Sequence, residues 1–260
     1  EITPTSVTDS DWEVTLSFPV TVCFFIIAGY IIPMTFIFPN WKTKGVFLAV
    51  LFSILFFLFF YSYFRVIIDG PGYLPFYWPM KHSDHTATET SLEPAARDDS
   101  SSLLHSDDLS PSGVITTKRQ YYWAKKRPRP PRCTLSKEAR RYVIRPDHIC
   151  VWTSSWIGKR NYKFFLLFNI WGLIYILFAT AVIIVEMIIQ IRSEMASPII
   201  GIYLIYLFFA FLFAGFTGIF ACSHTKQMCD NQTTWEIWRK VDPKAYDQGC
   251  IKNVEDVCGP

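Results

Sequence analysis

Four windows of this chain are almost free of charge and long enough to cross a hydrocarbon core of about 30 Å: Val14 to Phe38, Val46 to Ile68, Phe164 to Ile191 and Pro198 to Cys222. In lipid, every backbone amide of such a run must find its partner within the run, and a helix is the only single-segment answer. Composition points the same way, with 51% hydrophobic residues, 17% aromatic and 23 Phe. The expected fold class is an all-α integral membrane protein, with four transmembrane helices and one long loop between the second and third. The first run opens on Asp9, Asp11 and Glu13 and is longer than a signal-peptide h-region, so it is expected to stay as a helix. Pro19 and Pro33 lie inside it, which membrane helices tolerate because neighbours re-satisfy the freed carbonyls.

Sixteen of the 25 Lys and Arg fall between Asp69 and Lys163, and five more from Ser223 onward, whereas the two short connections hold Lys42, Lys44 and Arg192. By the positive-inside rule the long loop and the C-terminus face the cytosol, and an even number of spans puts the N-terminus there too. The resulting organisation is a cytosolic N-terminus over 1–13, helices one and two over 14–68, and a juxtamembrane Asp-Gly-Pro-Gly segment over 69–81. An insertion follows over 82–117, a core over 118–163, helices three and four over 164–222, and a C-terminal segment over 223–260.

The insertion is rich in Ser, Asp and Glu and has too few large apolar residues to offset its ordering entropy, so disorder is expected. Its His82 and His85 read as solvated linker rather than a metal site. The seven cysteines are scattered, show no CxxC spacing, and are expected to be free thiols in a reducing compartment. The basic stretch Lys125 to Arg132 sits beside a span, where its expected counterpart is anionic lipid or a phosphorylated ligand, not nucleic acid. Arg141, Lys159 and Arg160 are the cations nearest in sequence to the candidate nucleophile below.

That candidate is Cys150. A thiol near neutral pH needs help to become the attacking thiolate, and an imidazole held by a carboxylate supplies it. Asp147, His148 and Cys150 bring all three groups into four residues, a little over ten residues before the third span. The thiol would then sit at the membrane surface, where a lipid-like substrate can leave its acyl chain in the bilayer and its head in water.

These residues resemble a known family, the DHHC protein S-acyltransferases. Pro130 to Arg132, the run VIRPDHIC ending at Cys150, Trp152, and GKRNYKFF from Gly158 to Phe165 follow that family's core in order and spacing. Asp69-Gly70-Pro71-Gly72 is similar to its Asp-Pro-Gly motif with one inserted Gly, and Thr233-Thr234-Trp235-Glu236 matches its Thr-Thr-x-Glu motif. Tyr246, Asp247, Gly249, Asn253 and Gly259 match its C-terminal segment. The resemblance implies that Cys150 takes a long-chain acyl group from acyl-CoA and passes it to cysteine thiols of membrane-associated proteins in the endomembrane system, with His148 as general base and Asp147 orienting it. It implies that Thr234 stands beside Asp147, that Asn253 holds the C-terminal segment, and that Tyr175 faces Gly29 near the closed end of a tent of helices around the acyl chain. Trp152, Arg141, Lys159 and Arg160 are the remaining candidates for contact with acyl-CoA. The bilayer is the expected surrounding, and the resemblance leaves room for an accessory subunit.

One departure is large. Eight Cys and His residues bind two zinc ions in the usual family core, and the corresponding positions here hold Tyr122, Lys125, Leu135, Ser136, Ala139, Tyr142, Ile149 and Trp156, none an ordinary zinc ligand. No zinc and no other cofactor is expected, and a small apolar core built from Leu135, Tyr142, Ile149 and Trp156 is expected in its place. Val151 stands where the family has Pro, and Thr153, Ser154 and Ser155 also depart from the pattern. These changes leave an alternative open, a catalytically weak pseudoenzyme acting as a membrane scaffold. A third class, a small channel, rests on Glu186 in the third span, since carboxylates within lipid are usually functional.

Overall fold

The structure, a computed structural model, describes residues 17–74, 121, 124–126, 128–137, 139–193 and 199–259. The insertion with His82 and His85, and the residues before Ser17, lie outside that set. The described chain is mostly helical: α1 (Ser17–Phe36), a 3-10 turn (Phe38–Trp41), α2 (Lys42–Asp69), α3 (Tyr162–Arg192), α4 (Ile199–Cys229), and two short helices, α5 (Thr234–Trp238) and α6 (Cys250–Cys258). Three stretches are long and apolar enough to cross a membrane, Phe18–Asp69, Tyr162–Arg192 and Ile199–Cys229. The first has 52 residues, far more than one crossing of about 20 residues needs, and the 3-10 turn divides it into α1 and α2.

Side-chain pairs fix the direction of each neighbour. Tyr30 bonds Ser53 at 2.9 Å while Tyr63 reaches the Pro19 carbonyl at 3.5 Å, so α1 and α2 form an antiparallel hairpin. Phe52 stacks on Tyr175 and Phe59 on Phe168, with centroids 4.8 and 5.1 Å apart, which runs α3 antiparallel to α2. Phe165 meets Phe220 near one end of the α3–α4 pair and Phe25 meets Phe209, so α4 is antiparallel to both α3 and α1. Such ring pairs add about 0.5–1.5 kcal/mol each beyond the area they bury. The outward faces are uncompensated hydrocarbon: Phe211, Phe47 and Ile219 are 80%, 71% and 69% exposed, as lipid-facing residues should be. Glu186, the channel candidate, instead accepts from Trp41 Nε1 at 2.7 Å and Gln190 Nε2 at 2.8 Å. It pins the 3-10 turn to α3 at the end of the bundle remote from Cys150.

The segment between α2 and α3 is not helical. It folds into two antiparallel hairpins, β1 (Cys133–Leu135) with β2 (Tyr142–Ile144), and β3 (His148–Cys150) with β4 (Ser155–Ile157). The Asp-Gly-Pro-Gly segment sews them to α2: the Pro71 carbonyl accepts from Arg160 N–H at 3.1 Å and the Gly72 carbonyl from Ile144 N–H at 3.0 Å. Gly158 is obligatory there, because a Cβ on it would stand 2.7 Å from the Pro71 carbonyl oxygen. Asn161, fully buried, closes the corner by donating to the Val66 and Trp156 carbonyls and accepting from Gly158 N–H.

Of the residues at the expected zinc-ligand positions, Leu135, Ser136, Ala139, Tyr142 and Trp156 are engaged in hydrogen bonds or apolar packing. Trp156 Nε1 and the Ala139 N–H both bond Ser136 Oγ at 3.1 Å. Trp156 and Ala139 pack with Tyr73, Val143 and Trp235, while Tyr142 and Leu135 pack with Cys133 and Ala124. One expectation fails: Ile149 joins neither cluster and is 49% exposed. Strand alternation is the reason, since β3 turns His148 and Cys150 to one face and Ile149 to the other. Tyr122 lies outside the described residues.

Candidate active site

His148 and Cys150 are two apart on β3, so the strand presents both side chains on the face toward the helices. Asp147 precedes the strand, fully buried, its N–H held by the Ile157 carbonyl at 2.8 Å. Its Oδ2 lies 2.6 Å from His148 Nδ1, which leaves the other ring nitrogen for Cys150. The Asp147 carboxylate is itself held from above: Thr234 N–H donates to Oδ1 at 2.9 Å and the Thr234 hydroxyl to Oδ2 at 3.3 Å.

Each group's acidity follows from this arrangement. Burial pushes Asp147 up, but the His148 hydrogen bond, the nearby imidazoles and the Thr234 N–H outweigh it and hold the carboxyl below its ordinary range. Burial pushes His148 down, and the bond to Asp147 with the adjoining Cys150 reverses that, raising the ring to about 9. Burial likewise raises Cys150, yet His148, then the Thr153 hydroxyl and N–H, bring the thiol below its usual value. A raised imidazole beside a lowered thiol favours passing the Cys150 proton to His148.

Thr234 is placed by a helix start. In α5 the Thr233 hydroxyl accepts from Glu236 N–H at 3.2 Å while Glu236 Oε2 accepts from Thr233 N–H at 2.9 Å, a reciprocal capping box. The same Glu236 carboxylate takes both arms of Arg132, at 2.8 and 3.0 Å, and Arg132 also donates to Asn231. Asn253, fully buried, donates to the Cys229 carbonyl and to Asp247 Oδ1, each at 2.7 Å, and accepts from Gln248 N–H and Asn231. The Pro130 to Arg132 motif, the Thr-Thr-x-Glu motif and the C-terminal segment are thus one hydrogen-bonded block behind Asp147.

An apolar cavity of about 340 Å³ lies between the helices, and Trp152, two residues beyond Cys150, is part of its lining. Trp152 stands at its mouth, with its carbonyl held by Tyr63 at 2.8 Å and its ring against Phe18. Tyr175 and Gly29 meet deeper in: a Cβ on Gly29 would lie 3.4 Å from the Tyr175 hydroxyl and 3.5 Å from that of Tyr206.

The structure therefore brings Asp147, His148, Cys150 and Thr234 together, ties Asn253 to them through the C-terminal block, and sets Trp152, Tyr175 and Gly29 along the cavity. Lys159 and Arg160 remain exposed at the start of α3. Arg141 does not join the site. Its guanidinium lies 4.5 Å over the Tyr73 ring and the side chain is 1% exposed, which shuts it away from any phosphate. Three residues escape the sequence reading. Arg132 was visible only as a motif member, Tyr206 is one aromatic among many in its span, and His224 lies just past the apolar limit of the fourth window. The α4 helix continues to Cys229, and that extension carries His224 under the β3–β4 hairpin, with Nδ1 3.7 Å from Asp147 Oδ2. Asp147, His148 and His224 come close enough to suggest a metal centre. The carboxylate is already held by Thr234 and His148, however, so ligation there would require giving up the 2.6 Å bond.

Residues 115–241 match the model of the DHHC palmitoyltransferase family. The chain is similar to Palmitoyltransferase ZDHHC2 of Danio rerio, 26% identical over 95% of this chain and 72% of that one. It is also similar to Probable protein S-acyltransferase 14 of Arabidopsis thaliana, 30% identical over 82% of this chain and 68% of the relative. Palmitoyltransferase ZDHHC20 of Homo sapiens is 30% identical over a shorter stretch, 45% of this chain and 34% of its own.

Proposed function

This chain belongs to the DHHC palmitoyltransferase family and is a protein S-acyltransferase, and from that premise we propose that Cys150 is its acyl carrier. The Cys150 thiolate attacks the thioester carbonyl of acyl-CoA, the CoA thiolate leaves and takes up the proton held on His148, and the acyl group remains as a thioester on Cys150. An acceptor cysteine then gives its proton to His148, attacks that thioester, and releases Cys150 as thiolate. Thioester exchange is nearly thermoneutral, so what the protein must supply is thiolate and positioning. The single observation that carries this reading is the Asp147–His148–Cys150 relay, two residues before Trp152 in the lining of an apolar cavity.

The acyl chain lies in that cavity, with Tyr175 and Tyr206 facing Gly29 at its closed end, and Lys159 and Arg160 meet the CoA phosphates. The chain crosses the membrane four times through α1 to α4, because the antiparallel helices bring the start of α1, the end of α2, the start of α3 and the end of α4 under the catalytic hairpin. The cation distribution directs that end, with both termini, to the cytosol. Two apolar clusters and the Ser136 bonds replace zinc in the loop. The intact relay favours an enzyme over a scaffold. Purified protein in lipid nanodiscs with labelled palmitoyl-CoA and a cysteine peptide should label itself and then the peptide. Label that persists on Cys150→Ala removes Cys150 from the mechanism, and self-labelling without transfer supports the scaffold.

A further inference from the structure

His224 is a buried imidazole at the active site to which the acyl-transfer scheme assigns no step. Its ring faces Asp147 Oδ2 with Nδ1 at 3.7 Å, and its centroid is 5.6 Å from that of His148, the two planes inclined by 33°. The Tyr162 hydroxyl fixes it from α3, donating to the His224 carbonyl at 3.1 Å and lying 3.3 Å from Nδ1. Gln227, one turn further along α4, bonds the ring as well. Phe220 stacks on His224, and Phe165 stands edge-on to both imidazoles, 5.1 Å from His148 and 5.0 Å from His224. The two rings, Phe165 and the carboxylate are one packed unit.

We propose that His224 is a positioning residue for acyl transfer, whose ring fills the space beside Asp147 that water would otherwise enter and so commits the carboxylate to His148. This rests on the Cys150 reading above. One carboxylate can balance one imidazolium, and the 2.6 Å bond gives Asp147 to His148. The strength of that pairing depends on what else touches Oδ2. Among the described residues those are Thr234, whose hydroxyl proton is shared with Gln227 Oε1 at 3.3 Å, and His224. A water there would donate a hydrogen bond to the carboxylate and raise the local dielectric, weakening the field that makes His148 basic and Cys150 acidic. The groups facing His224 are Asp147 and His148 from the hairpin, Tyr162 from α3 and Gln227 from α4, with Arg145 behind the Tyr162 ring at 5.8 Å. None but Asp147 is anionic, so no second carboxylate replaces its field.

The test is the pH dependence of single-turnover self-acylation with palmitoyl-CoA, on full-length protein in nanodiscs. Because the relay lowers the Cys150 thiol, the wild-type rate should depend only weakly on pH between about pH 6.5 and about pH 9. With His224→Ala the rate should fall roughly fivefold or more near pH 6.5 yet stay within about twofold of wild type near pH 9, because a less basic His148 ionises the thiol less completely at low pH. His224→Asn, which keeps a polar group at Nδ1, should recover most of the loss. A purely structural role would lower the rate by one factor at every pH, and that result, or an unchanged profile, overturns the proposal. If His224→Ala fails to fold, Tyr162→Phe, which frees the imidazole without removing it, should show the same tilt to a smaller degree, and a flat profile there is equally fatal. Failure of wild type to self-acylate, or labelling that survives Cys150→Ala, sinks the Cys150 reading and this one with it, whereas a Cys150-dependent wild type with an untilted His224→Ala sinks this one alone.

Discussion

Replacing Asp147 by Asn tests the centre of the scheme with almost no change in shape. Raising His148 from its ordinary 6.5 to about 9, against a burial effect of opposite sign, corresponds to about 3 kcal/mol of preference for the charged ring. That preference comes first from the 2.6 Å bond to Asp147, then from Cys150. An Asn at this position can still accept the Thr234 N–H on its oxygen, but that turns its amide N–H toward His148 Nδ1 and forces the proton onto the nitrogen that should face Cys150. Both the charge and the tautomer are then wrong. Losing ~3 kcal/mol of ion-pair stabilisation lowers the reactive thiolate by roughly two orders of magnitude at neutral pH, with a further loss from the tautomer. Alkylation of Cys150 by iodoacetamide, followed by mass spectrometry across pH, reads the thiolate without acyl-CoA. Wild type should alkylate at a steady rate through neutral pH, whereas Asp147→Asn should be slow near pH 7 and climb about tenfold per pH unit. The sign follows from the shifts: the thiolate pair exists above the lowered value of Cys150 and loses its imidazolium as pH rises through about 9. Asp147→Asn that alkylates at the wild-type rate near pH 7 would refute the relay.

Three further outcomes follow from the same geometry. Filling the cavity end with Gly29→Leu should turn preference from palmitoyl toward myristoyl-CoA by about tenfold, two methylenes at ~0.8 kcal/mol each, and Tyr175→Ala should move it the other way; competition between the two donors measures both, and an unmoved ratio removes these residues from chain-length control. Glu236→Ala leaves the part-buried Arg132 without its carboxylate, a cost of about 1.5–3 kcal/mol, so the melting temperature should fall and the segment after α4 should become sensitive to protease, while a wild-type protease pattern would count against the block. Trp156→Ala should cost about 3–5 kcal/mol because the hairpins depend on their apolar clusters, and chelators should leave the wild-type melting temperature unchanged; stoichiometric zinc in purified protein would overturn the metal-free reading.

The long elements were legible because their physics is local. Apolar runs of 20 or more residues admit only helices in lipid, and the α1 to α4 boundaries fall within a few residues of the windows except where α4 runs on to Cys229. That exception matters most. Polarity begins at Ser223, so the window stops there, but backbone hydrogen bonding carries the helix through His224 to Cys229. Which residues surround Asp147 depends on contacts 77 to 87 residues away in sequence, and spacing carries no trace of them. The Thr-Thr-x-Glu motif was legible in both senses, since a Thr followed three residues later by Glu is also a helix-start signature. Arg141 and Ile149 went the other way. A cation near a nucleophile reads as a phosphate ligand until Tyr73 is found covering it, and Ile149 reads as core until the strand turns it outward.

The hydrogen bond from Thr234 to Asp147 joins residues 87 positions apart, and this has a consequence in time. At a synthesis rate of about 5–20 residues per second, the ribosome needs roughly 4 to 17 seconds to go from Asp147 to Thr234, during which α3 and α4 must be delivered to the membrane. Throughout that interval the nascent hairpin lacks the group that secures its carboxylate, so the relay that lowers the Cys150 thiol is incompletely held. Stalled chains ending before Thr233 should alkylate slowly, and chains extended past Asn253 quickly. An enzyme able to acylate its neighbours would thus be assembled with its nucleophile damped until the segment that follows α4 has docked.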